Sequence, residues 1–114
     1  MTSSIDLPAL LEQFGDAREI LDQVIDTYLE QYPQLLAEVG RAVATRDPAA
    51  LSTSAHKFKG ALSIFAVERA VEPAAFLELA GKTGNLEHID AMSARLEREV
   101  ERLGEELKRL RQQP

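Results

Sequence analysis

His56 lies in the run Ser52-Thr53-Ser54-Ala55-His56-Lys57-Phe58-Lys59-Gly60-Ala61-Leu62-Ser63, and the residue types around it suit one kind of chemistry. A neutral imidazole is a competent nucleophile toward a phosphoryl group. Lys59, three residues on, lies over the same side of a helix, where its ammonium can offset charge on a transferring or bound phosphoryl group. On a helical wheel, at about 100° per residue, Leu51, Ala55, Phe58, Leu62 and Phe65 gather into one stripe that must face a core. His56 points away from that stripe, with Ser52, Lys59, Gly60 and Ser63 as its outer neighbours. Gly60 in mid-helix costs about 1 kcal/mol relative to alanine, and its bare backbone would let another macromolecule come close to the imidazole. An ordinary exposed histidine beside an accidental glycine is the commoner arrangement in proteins, and the conjunction of lysine, glycine and small neighbours is what speaks against it here.

Other chemistries have less to stand on. The chain of 114 residues has no cysteine, which excludes disulfides and Cys-ligated metal centres. The second histidine, His88, is far from His56 in sequence and reads as a surface residue of the last helix. No HExxH-type spacing joins either histidine to a carboxylate, so no metal site or cofactor is expected. Gly81-Lys82-Thr83 invites comparison with a phosphate-binding P-loop, but Phe76 stands where that motif needs glycine and no strand precedes it. Its expected role is a helix stop, with Lys82 near the negative end of the helix dipole. A net charge of −6 with no tryptophan gives no footprint for nucleic acid. No apolar run approaches the ~18 residues of a membrane span, and Met1 to Asp6 lack the pattern of a signal peptide, so a soluble, cytoplasmic chain without membrane insertion is expected.

The elements that position His56 read as helical throughout, because apolar residues recur at helical spacing and strand alternation is almost absent. The length suits one domain over residues 1–114. Ser3 or Ser4 could cap a short opening helix ended by Gly15. Asp16 with Glu19 reads as a capping box for the next helix. Pro33 should kink or break that helix near Tyr32, with resumption through Leu35, Leu36, Val39, Ala42 and Val43. Asp47-Pro48 is a strong start for the helix of His56, which should run to about Phe65. Val67 to Leu79 form another segment, in which Pro73 marks a kink or a first turn, ended by Gly81 to Gly84. Asn85 should cap a long last helix, about 86–111, whose Leu86, Ile89, Leu96, Val100, Leu103, Leu107 and Leu110 form a heptad-like seam. The expected fold is all-α, an antiparallel four-helix bundle with a short N-terminal helix.

Ala55-His56-Lys57-Phe58-Lys59-Gly60-Ala61 resembles the signature of histidine-containing phosphotransfer (HPt) domains, in which lysine and glycine follow the histidine at i+3 and i+4. The similarity extends over roughly residues 5 to 90, through Phe14-Gly15, Tyr28 to Leu36, Asp47, Phe76-Leu77-Glu78-Leu79-Ala80 and Thr83 to Glu87. The resemblance implies a four-helix bundle that accepts a phosphoryl group on His56 from the aspartyl phosphate of a response-regulator receiver domain and passes it to another receiver. It implies Lys59 as a neutralising group, Gly60 as clearance and Lys57 as a steering charge. Ser52 and Ser63 would leave room for the partner. Magnesium would sit on the receiver, and a hybrid or other sensor histidine kinase would stand upstream. The chain itself would be a monomer with no independent catalytic activity. Ile64 and Ala66 depart from the polar residue and glycine that often follow the motif, and Ile64 could instead be an apolar docking contact. Two other classes remain open on the residues alone: a helical adaptor that never carries phosphate, and an oligomerisation module built on the Leu96-to-Leu110 seam. A kinase dimerisation domain fits less well, since Lys57 replaces its acidic residue and no proline follows nearby.

Overall fold

The computed structural model describes residues 7–15, 17–65 and 67–112. They form five helices: α1 (Leu7–Gln13), α2 (Arg18–Ala44), α3 (Pro48–Ser63), α4 (Glu68–Thr83) and α5 (Ile89–Gln112). Helices α2 to α5 follow one another through short turns, each packed on the next, and α2 closes the ring against α5. The result is the expected antiparallel four-helix bundle, with α1 resting on α2.

Its core is the sum of one apolar stripe from each long helix. Leu21, Ile25 and Val39 of α2, Leu51, Phe58 and Leu62 of α3, Leu77 of α4 and Leu96, Val100, Leu103 and Leu107 of α5 are almost completely buried. The heptad-like seam of α5 is therefore spent inside the bundle. An oligomer built on Leu96 to Leu110 would need apolar surface that the chain already uses for itself.

The helix of His56 starts as its sequence dictates. The Asp47 side chain accepts a hydrogen bond from Ala50 N at 3.1 Å, and Pro48 occupies the first turn, where its missing N–H is not needed. The helix ends at Ser63, with Ile64 as its C-cap, close to the expected end at about Phe65.

Several boundaries differ from the sequence reading. Pro33 does not break α2, which runs unbroken from Arg18 to Ala44. The proline ring is exposed while Tyr28 and Leu35 are buried on either side of it, so packing on both flanks outweighs one lost backbone hydrogen bond. The N-cap of α2 is Ala17, without a side-chain bond. Asp16, like Ser3, Ser4 and Ala66, lies outside the described residues. Pro73 sits inside α4, buried, rather than in its first turn. The left-handed C-cap of α4 is Gly84, at φ 75°, while Gly81 lies within the helix. The last helix starts at Ile89, not at residue 86. Asn85 Oδ1 accepts from Glu87 N at 3.2 Å in a turn of its own, and the positive φ of His88, 70°, is incompatible with helix. His88 is exposed, as expected, but precedes the helix instead of joining its first turn.

Candidate functional site

The imidazole of His56 projects from the middle of α3, 71% exposed, on the side that adjoins α4. Its Nδ1 is 2.9 Å from Oε2 of Glu78, a carboxylate of α4 that is itself only 5% exposed. Lys59 Nζ pairs with Oε1 of the same carboxylate, and Lys82 Nζ, one turn further along α4, lies 3.0 Å from Oε2. One buried carboxylate thus gathers three donors from two helices.

Electrostatics fix its protonation. Hydrogen bonds from Lys59, then Lys82, with a smaller one from His56, overcome the cost of burial and hold the Glu78 carboxyl down from its ordinary 4.5 to about 2. At neutral pH Glu78 carries no proton and can only accept. His56 Nδ1 must then be the donor, and in a neutral ring the lone pair falls on Nε2, the nitrogen farther from the backbone.

The approach of α4 to α3 that makes this possible depends on Gly81. A Cβ there would stand 2.5 Å from Ser52 N, 2.6 Å from Pro48 O and 2.8 Å from Ser52 Cα. Only glycine allows the backbones so close, and Glu78 lies on the same side of α4, one turn earlier. Gly81 is a contact residue between helices, not the stop that its Gly-Lys-Thr setting suggested.

The remaining residues singled out in sequence fall around this centre. A Cβ on Gly60 would meet nothing within 4 Å among the described residues, so they leave the strip of α3 beside His56 open. Ser63 is exposed, with its hydroxyl turned back to donate to Lys59 O at 2.8 Å. Ser52 is half-buried, its backbone lying beneath Gly81, so most of it serves the α3–α4 contact rather than an outer face. Lys57 points the other way, toward α2, with Nζ 3.6 Å from Glu38 Oε2. Ile64, 39% exposed, borders a groove of about 330 Å³ between α2 and α3 that Val24, Tyr28, Gln31 and Ala61 also line.

Glu78 and Lys82 are the two residues of this cluster to which sequence reasoning assigned no part in the site. Glu78 stood in the Phe76–Ala80 run only as part of a helical similarity, and Lys82 only as a charge at a helix end. The signal that could have found them is an acidic residue on the stripe of small and apolar residues Ala70, Ala74, Leu77 and Gly81, followed by lysine at i+4. A carboxylate on a core-facing stripe needs cationic partners.

Among the described residues no helix is long and apolar enough to cross a membrane. No curated protein matches the chain. The solved structure of histidine-containing phosphotransfer protein B from Pseudomonas aeruginosa PAO1 superposes with a TM-score of 0.87 at 23% sequence identity, covering 98% of this chain and 97% of that one. The Hpt domain family matches residues 23–113, which include every residue of the His56 cluster. The chain therefore belongs to the Hpt domain family, the helical modules that carry phosphoryl groups on histidine in two-component phosphorelays.

Proposed function

We propose that Nε2 of His56 is the phosphoryl acceptor, and the observation that supports this most directly is the 2.9 Å bond from Nδ1 to Glu78, which leaves Nε2 as the free nitrogen of a side chain that is 71% exposed. In the forward step the lone pair attacks the phosphorus of a receiver's aspartyl phosphate. The bond from phosphorus to the aspartyl oxygen breaks, its electron pair stays with the aspartate, and the P–Nε2 bond forms. Nδ1 keeps its proton, so the ring gains positive charge, which the Glu78 carboxylate offsets. Transfer to a second receiver runs the same step backwards.

Lys59 neutralises the phosphoryl oxygens. Gly60 and Ser63 leave clearance for the rim of the partner's site, and Ile64 with its groove offers an apolar contact beside it. Lys57, turned toward α2 and paired with Glu38, can contribute only a long-range steering charge. Magnesium is brought by the receiver, and the chain acts as a relay intermediate without catalytic power of its own. It works as a cytoplasmic monomer between a hybrid or other sensor kinase and its response regulators.

The test is incubation of the chain with phosphorylated receiver domains. Acid-labile phosphate should appear on the wild-type protein and be absent from His56→Gln with its helical content unchanged. Equal labelling of His56→Gln would overturn the assignment.

A further inference from the structure

Lys82 Nζ and His56 Nδ1 share one oxygen, Oε2 of Glu78, at 3.0 and 2.9 Å, while Lys59 occupies Oε1. Two ammonium groups on one carboxylate are one more cation than its charge requires. The two lysines and Glu78 together therefore carry a surplus positive charge beside the imidazole. The three partners differ in freedom. Glu78 is 5% exposed and held by α4 against α3, whereas the Lys82 side chain is 59% exposed. A lysine ammonium on its four-carbon stem can swing through several ångströms at little cost. That reach spans the width of an imidazole, from the Nδ1 side to the Nε2 side.

Building on the assignment of His56 as acceptor, we propose that Lys82 is a second phosphoryl-binding group, stored on Glu78 while the site is empty and passed to the phosphoryl oxygens once His56 is loaded. The exchange is electrostatically balanced. A phosphoryl group presents three strong acceptor oxygens and close to two negative charges, and so competes well against a carboxylate that already shares two cations. Phosphorylation also leaves the ring positively charged while Nδ1 retains its proton. The ring then takes over as countercharge to Glu78 at the moment Lys82 departs, so the buried carboxylate is never left unpaired. Neither half of the exchange needs a movement of the helices.

The experiment uses the full chain labelled with potassium phosphoramidate, a donor that needs no receiver. The titration of the phosphoryl group is followed by 31P NMR in the wild type, Lys82→Gln and Lys82→Arg, and the partition of phosphate between His56 and a receiver that labels the wild type is measured in each. A cation in contact favours the more highly charged phosphoryl form, so Lys82→Gln should raise the phosphoryl pKa by about half a unit or more. It should also shift the partition about threefold or more toward the receiver, with Lys82→Arg restoring both. The ring tautomer of unphosphorylated His56, read from its 15N shifts, should be unchanged in Lys82→Gln, because Lys59 and His56 still hold Glu78. Coincident phosphoryl titrations for labelled wild type and Lys82→Gln would overturn the proposal. A changed resting tautomer with an unchanged titration would reduce Lys82 to an anchor for Glu78 and overturn it equally. A wild-type chain that neither phosphoramidate nor phosphorylated receivers label would instead overturn the assignment of His56, and the exchange with it.

Discussion

Gly81 of α4 lies against the backbone of Ser52 of α3, with no room between them for even a methyl group: a Cβ would come within 2.5 Å of Ser52 N and 2.6 Å of Pro48 O. Both obstacles are main-chain atoms in the first half of α3, so a side chain could be admitted only by moving one helix. Gly81→Ala is expected to destabilise the bundle by about 2 kcal/mol, in the range of overpacked interiors, read from a urea midpoint. It should also slow phosphorylation of His56 beyond what the stability loss explains, because the displaced helix is the one that carries Glu78. Unchanged stability would show that α4 can slide without cost.

The depressed Glu78 carboxyl links stability to acidity. Its folded value, about 2, lies below its ordinary 4.5. The ion-paired carboxylate therefore contributes stability that is complete above pH 5 and is lost as the pH falls from about 4.5 toward about 2. Thermal melts across that window should show a steeper loss for the wild type than for Glu78→Gln, whose amide does not titrate there. Parallel curves would mean that Glu78 is not held by Lys59 and Lys82 in solution.

Gly60 offers a case in which stability and function are expected to move in opposite directions. Nothing among the described residues meets a Cβ at this position, so Gly60→Ala should stabilise α3 by about 1 kcal/mol, the intrinsic difference in helix propensity. Gly60→Leu should keep the fold yet slow transfer from a phosphorylated receiver about tenfold or more, since displacing a partner by an ångström is costly to chemistry. Labelling of both variants by phosphoramidate should match the wild type. Equal transfer rates would remove the clearance role.

Ile64 tests the apolar contact separately from the chemistry. Replacing an exposed isoleucine at the mouth of the α2–α3 groove with aspartate removes apolar area without touching the core. Ile64→Asp is expected to raise KM for the phosphorylated receiver about tenfold, leaving kcat and phosphoramidate labelling unaltered. A drop in kcat with KM constant would place Ile64 in the reacting geometry instead.

What could be read in the chain beforehand was what depends on nearest neighbours in sequence. Asp47-Pro48 announces α3, the stripe from Leu51 to Phe65 turns His56 outward, and Lys59 and Gly60 follow from helical spacing. The seam of α5 was equally legible, but not its use: only the closed ring shows that Leu96 to Leu110 are consumed by the core. Pro33 shows its penalty locally, whereas the packing of Tyr28 and Leu35 that keeps α2 continuous across it is set by the rest of the bundle. The start of α5 was misplaced because the left-handed backbone of His88 follows from no local rule for histidine. Glu78 escaped because its partners lie 19 and 22 residues back on another helix, and its proximity to them is set by Gly81, whose Gly-Lys-Thr context pointed elsewhere.

The ring of α2 to α5 has one pairing between elements distant in sequence, the closure of α5 against α2, whereas every other major contact joins consecutive helices. His56, Lys59, Glu78, Gly81 and Lys82 all fall on a single consecutive pair, α3 and α4. The chain that must be looped to bring them together is short, so the entropy of assembling the site is small beside that of closing the ring. In kinetic terms the phosphoryl-carrying hairpin is expected to order ahead of the closure and to keep its amide protons longer than the α2–α5 seam during native-state exchange. Opening events that start at that seam can then relax the bundle without dismantling its chemistry.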